Sequence, residues 1–143
     1  MNVTAASLGL SNTKFVDPSG IGKNESTALD MAIIMAKVCE NPELVQLLNL
    51  FEYELPAVSK RGKLHIWSKN TQLNKGNATY NADVSASRLG YTSASKWCVA
   101  SMMNYNNNNV IAVVLKAEGT QFGDTKKLLE FGKVASSEGL SIN

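Results

Sequence analysis

Two apolar runs, Trp97 to Met103 and Val110 to Leu115, are joined by Asn104-Tyr105-Asn106-Asn107-Asn108-Asn109, and this pair constrains the fold more than any other stretch. Runs of this length without polar alternation predict strands covered on both faces. The asparagine-rich connection suits a tight hairpin, because asparagine tolerates the positive φ that such turns need. It reads as a solvated loop.

Helix signals surround the pair. Met1 to Leu8 reads as the end of a helix stopped by Gly9, and Asp17-Pro18-Ser19-Gly20 as a turn. Thr27 is placed to cap a helix, with Asp30 in the first turn where negative charge is favoured. From Ala28 to Val38 only Asp30 and Lys37 interrupt the apolar residues, so this helix is expected to be buried on most sides. Asn41-Pro42 restarts a helix through Glu43 to Leu50, and Asp124 to Phe131 forms a last one ending at Gly132. Between Phe51 and Asp83 the periodicity is poor, with Leu64-His65-Ile66-Trp67 as a candidate strand and Asn70 to Asn81 as turn material. Helices, then a hairpin, then a helix indicate an α+β fold with an antiparallel sheet flanked by helices, in one domain over residues 1–143.

Composition narrows the function classes. Hydrophobic residues at 44% and charged residues at 18% fit a globular core, and a net charge of +2 without a basic run favours neither nucleic acid nor anionic lipid as partner. No stretch approaches the roughly 18 apolar residues of a membrane span, and no charged and apolar signal core opens the chain. Cys39 and Cys98 lie on different elements with no metal-ligand spacing, so two buried thiols are expected, with no metal site and no cofactor. His65 has no carboxylate or second histidine near it in sequence and reads as a surface or strand histidine; Trp67 and Trp97 read as packing residues.

The order of short motifs carries a more specific message. Leu8-Gly-Leu-Ser-Asn-Thr-Lys-Phe-Val-Asp-Pro-Ser-Gly20, Ser26-Thr-Ala-Leu-Asp-Met-Ala32, Lys69-Asn-Thr-Gln-Leu73, Leu89-Gly-Tyr-Thr92 and Phe122-Gly-Asp-Thr-Lys-Lys-Leu-Leu-Glu-Phe-Gly132 follow one another at the spacing found in D-alanyl-D-alanine carboxypeptidases. From Met1 to Gly132 the chain resembles the C-terminal part of that family's catalytic domain. The resemblance implies a partial penicillin-recognising fold of the β-lactamase and transpeptidase kind. It also implies peptidoglycan peptide hydrolysis through an acyl-enzyme, at an extracytoplasmic location.

Within that resemblance, Arg88-Leu89-Gly90 stands where the family carries Lys-Thr-Gly. Substrate contact then falls to Arg88, Leu89, Gly90, Tyr91 and Thr92, with Gln121 in the place where some members have a carboxylate-binding arginine. Tyr91 is the candidate second oxyanion donor through its backbone N–H. The family's nucleophilic Ser-x-x-Lys and its Ser-x-Asn precede the matched region, so this chain is expected to lack a catalytic residue of its own. Ser11-x-x-Lys14, Ser93-x-x-Lys96, Ser68-x-Asn70 and Ser141-x-Asn143 match those patterns and read as chance. The expected partners are a peptidoglycan stem peptide or β-lactam once a complete site forms, and a second copy or a complementing N-terminal chain. A non-catalytic relative that binds peptidoglycan peptides or a protein is the alternative.

Overall fold

At the tip of the long hairpin, Asn106 and Asn107 take φ of 50° and 62°. Both central residues are therefore left-handed, which gives the turn the twist that two antiparallel strands need. The structure is a computed structural model and describes residues 1–57 and 62–139. The elements run α1 (Asn2–Ser7), α2 (Ala28–Cys39), α3 (Pro42–Leu48), β1 (Glu52–Leu55), β2 (Leu64–Trp67), a 3₁₀ turn (Thr71–Leu73), β3 (Val84–Thr92), β4 (Lys96–Tyr105), β5 (Asn108–Ala117) and α4 (Gln121–Ser137).

β3, β4 and β5 form an antiparallel sheet in that order, so β4 is paired along both edges. Alternation splits its side chains between two layers. Ala100 and Met102 join Ala86, Ile111 and Val113 under α2 and α3, where Met35, Cys39, Val45 and Leu48 cover them. Met103 faces the other way with Val84, Val110 and Ala112, under Leu129 of α4 and Leu73. The molecule is thus a helix–sheet–helix sandwich, the α+β arrangement with a flanked antiparallel sheet that the sequence predicts.

Local signals explain the helix ends. After α1 the amide of Gly9, at φ 75°, donates to Ala6 O, and Leu10 N donates to Ala5 O. This pair of bonds satisfies two carbonyls that a helix end leaves orphaned. Thr27 Oγ1 accepts from Asp30 N at 3.1 Å, and Asn41 Oδ1 accepts from Glu43 N at 2.9 Å with Pro42 in the first helical position. Asp30 does more than bias a helix start. It is buried, and its Oδ2 accepts from Thr13 Oγ1 at 2.6 Å and Asn12 N at 3.1 Å, which ties the chain after α1 to α2.

Several expectations need correction. In α2 only Asp30 and Met35 are buried, and Leu29 is 71% exposed, because one stripe of the helix meets the sheet and no described element covers the rest. β4 is covered on both faces through Val99–Met103, but in β5 only Ala112 and Ala117 are buried. Cys39 and Cys98 are free but half-buried, and partial burial raises the Cys39 thiol pKa. β1 was hidden by weak periodicity. It pairs with β2, and every residue of these two strands is exposed, Trp67 among them at 67%. His65 does have a carboxylate, Glu52 Oε2 across that strand pair at 3.2 Å, and remains a surface histidine.

Two predictions follow from this packing. At Gly132 a Cβ would lie 2.3 Å from Val110 Cγ1, so Gly132→Ala should lower stability by roughly 1–3 kcal/mol in urea unfolding, as overpacking does. Asp17 Oδ1 accepts from Ser19 Oγ, Ser19 N and Gly20 N, and the Ser19 hydroxyl leads in lowering its pKa below the ordinary 3.8. A depressed carboxylate stabilises above its unfolded pKa and loses that contribution as pH falls through the folded value. The stability gap between wild type and Asp17→Asn should therefore be full at neutral pH and shrink as pH falls below 3.8.

Candidate functional site

β3 is an edge strand, held by β4 on one side only. A bulge between Val84 and Ala86 shifts its register, after which Ser87 lies opposite Ser101, Arg88 opposite Ala100, Leu89 opposite Val99, Gly90 opposite Cys98 and Tyr91 opposite Trp97. The register is pinned by buried polar side chains. Gln72 Nε2 donates to Ser87 Oγ at 2.9 Å and Ser101 Oγ at 3.1 Å, Asn70 Nδ2 donates to Ser87 Oγ at 2.8 Å, and the two serine oxygens lie 2.8 Å apart. All four residues are buried, and Asn70 Oδ1 has no partner. Because buried polar groups are costly when unpaired, this cluster resists any slip of β3 past β4 or past the 3₁₀ turn.

The candidate residues follow at once. Arg88, opposite the α3-side residue Ala100, is exposed on the α2–α3 face of the sheet. Leu89 and Tyr91 turn to the α4 face. Tyr91 is 53% exposed, and its ring centroid is 4.6 Å from that of Trp97. Gly90 is exposed, and a Cβ there would meet nothing within 4 Å. Thr92 Oγ1 is committed to the β3–β4 turn, accepting from Ser95 N at 2.9 Å. Gln121 opens α4, is 7% exposed and keeps Oε1 buried without a partner.

Alternation along β3 therefore separates the candidates. Leu89 and Tyr91 share the α4 side with Gln121, whereas Arg88 stands on the opposite face. What the arrangement offers chemically is the free edge itself, a row of backbone donors and acceptors able to pair with an extended peptide.

Among the described residues the serine motifs are scattered over separate parts of the fold. Ser93 is exposed in the β3–β4 turn, and Lys96 opens β4 at φ 55°. Ser11 and Lys14 are exposed, Lys14 bridging the backbone of Glu25. Ser68 Oγ accepts from Asn70 N at 3.1 Å, a turn contact. The Ser141-x-Asn143 pattern lies outside the described residues. Among the described residues no three His, Cys, Asp or Glu side chains gather as metal ligands, and no helix is long and apolar enough to cross a membrane. Sequence reasoning missed the cluster of Asn70, Gln72, Ser87 and Ser101. Its one visible signal was Ser101, the polar residue inside the run Trp97 to Met103.

Similarity to known proteins agrees with this geometry. The fold is that of the penicillin-recognising proteins: a DD-transpeptidase of Streptomyces K15 superposes with a TM-score of 0.81 at 24% identity, over 93% of this chain and 52% of that one. Penicillin-binding protein D2 from Listeria monocytogenes, solved with cefotaxime bound, matches with a TM-score of 0.74 at 25% identity, over 92% of this chain and 52% of that one. The family model for D-alanyl-D-alanine carboxypeptidase matches residues 1–119, and the chain belongs to that family. A D-alanyl-D-alanine endopeptidase of Escherichia coli (strain K12) is 32% identical over 94% of this chain and 44% of its own length. This chain thus spans about half the length of the relatives it matches.

Gln72→Leu leaves the Ser87 and Ser101 hydroxyls each one donor short in the core. It should cost about 1–3 kcal/mol in urea unfolding, with the loss of β3 amide protection preceding that of β5 in hydrogen exchange.

Proposed function

We propose that this chain builds the β3 wall of a D-alanyl-D-alanine peptidase site acting on peptidoglycan peptides outside the cytoplasmic membrane. The observation that supports it best is the family match over residues 1–119, which runs through β3 and its free edge. In this reading the substrate peptide lies extended along β3, Gly90 leaves room for its backbone, and the N–H of Tyr91 serves as one oxyanion donor. Residues 1–143 act as a single domain. The attacking serine and its lysine base belong to polypeptide outside these 143 residues.

In such chemistry the serine hydroxyl adds to the carbonyl of the penultimate D-alanine and its proton passes to the base. The C–N bond breaks to release the terminal residue, and water then hydrolyses the acyl-enzyme. Residues 1–143 contribute binding and carbonyl polarisation to that sequence, without proton transfer.

A second reading, a non-catalytic relative that binds peptidoglycan peptides, draws support from Leu89 and Gln121. Neither carries the charge or hydroxyl that a free carboxylate would be held by, and Arg88 presents a broad planar fork on the other sheet face. Each lost hydrogen bond to a charged group weakens binding by roughly 1.5–3 kcal/mol.

Fluorescent penicillin separates the two. The chain alone should take no covalent label, and labelling should appear after mixing with the N-terminal half of a related carboxypeptidase if the first reading holds; persistent absence of label with peptide binding intact supports the second. Leu89→Thr with Gln121→Arg should tighten binding of a peptide ending in D-Ala-D-Ala by about 10²-fold, measured by calorimetry, since two such bonds are regained.

A further inference from the structure

Between the 3₁₀ turn and β3, the loop 74–83 and the end of α3 enclose a cavity of about 310 Å³. It lies at the Val84 end of β3, whereas Arg88 to Thr92 occupy the other end of the strand. None of the residues placed at the candidate site lines it.

The lining divides by chemistry. Leu73 and Val84, which belong to the core under α4, give the cavity an apolar base. Asn49, Lys75, Tyr80 and Asn81 bring polar side chains, and no aspartate or glutamate joins them. Asn81 Oδ1 accepts from Asp83 N at 3.1 Å, which leaves Nδ2 as the open end of that amide. Among the described residues Lys75 makes no ion pair. The acid nearest in sequence, Asp83, is engaged by Lys133 Nζ of α4 at 2.6 Å. The cavity thus offers one ammonium and several neutral donors with no carboxylate to answer them.

The backbone around these donors is already fixed. Asn81 N donates to Gln72 O at 3.0 Å, and Asn81 O accepts from Val84 N at 3.3 Å. Tyr80 N donates to Asn77 O at 3.0 Å, and Thr79 Oγ1 lies 2.6 Å from Thr71 Oγ1 of the 3₁₀ turn. Groups held in place beforehand cost less ordering when a ligand arrives.

We propose that this cavity binds a small aliphatic monocarboxylate, with its oxygens on Lys75 Nζ, Tyr80 Oη and the amides of Asn49 and Asn81 and its tail against Leu73 and Val84. Charge selects the anion, because hydrogen bonds from an ammonium to a carboxylate are about twice as strong as neutral ones. The two carboxylate oxygens accept about four hydrogen bonds, which matches the four polar side chains. Size selects a short molecule: 310 Å³ is about ten times the roughly 30 Å³ that one water takes up in the liquid. The apolar base argues against phosphate, whose remaining oxygens would be buried against Leu73 and Val84 without donors.

The test follows backbone amides of the full chain by NMR while sodium propionate, propionamide or inorganic phosphate is added at one ionic strength. Propionate is expected to shift the amides of Lys75, Tyr80, Asn81 and Ala82 in a saturable way in the millimolar range. Propionamide, the same shape without the charge, should bind about tenfold more weakly or worse. Lys75 is exposed, so Lys75→Met should keep the fold and weaken propionate by about tenfold. Lys126→Met, which removes an exposed lysine of α4 outside the cavity, should change nothing.

An equal response to propionamide overturns the proposal, since the cavity would then read shape and not charge. Shifts that never saturate or that centre on other residues do the same, as does propionate binding by Lys75→Met at wild-type strength. Phosphate binding tighter than propionate removes the carboxylate assignment. The cavity shares no residue with the Arg88 to Thr92 edge, so penicillin labelling reports on that edge alone.

Discussion

Everything positioned in this molecule is positioned by β4. It is the one strand of the sheet bonded along both edges, and its centre, Val99 to Met103, is buried on both faces. A fully buried side chain such as Met103 contributes about 1.5–3 kcal/mol on removal from water. More important for function, a strand fixed on four sides cannot slide, so its neighbours inherit its register. β3 and β5 hang from it on opposite sides and differ in what they present.

The face of β4 turned to α4 is not wholly apolar. Ser101 lies there with Ser87, Gln72 and Asn70 in a connected set of hydrogen bonds. Hydrophobic residues in their place would satisfy burial equally well, but they would tolerate a shift of β3 by two residues. A hydroxyl that must meet a particular amide does not. The bulge just before Ser87 makes such a lock useful, since an irregular edge strand with one partner has little else to fix the residues after it.

Those residues, Arg88 to Thr92, form the accessible edge, and the alternation of strand side chains decides what a ligand there can meet. Membership in the D-alanyl-D-alanine carboxypeptidase family and the penicillin-recognising fold give that edge its context. The opposite edge, β5, sits between α2 and α4.

Much of this was legible in the chain. The asparagine turn, the caps at Thr27 and Asn41, the helix stop at Gly9 and the α+β order all rest on local backbone preferences, which short stretches express without help from the rest of the fold. The family's motif order was likewise readable from Leu8 to Gly132. Strand β1 was not, because an exposed strand has no buried face to impose alternation. Nor was the partial burial of α2 and β5: a sequence shows that residues are apolar, but not whether anything arrives to cover them. The same holds for the buried amide and hydroxyl cluster and for Gln121, whose polar side chains look like surface residues until packing encloses them. What the sequence determined by itself was which elements form and where they stop, since those are decided by neighbours along the chain. Which face each apolar stripe meets, which edge stays open, and which polar groups are sealed inside were decided only by tertiary structure, because those contacts join residues far apart in sequence.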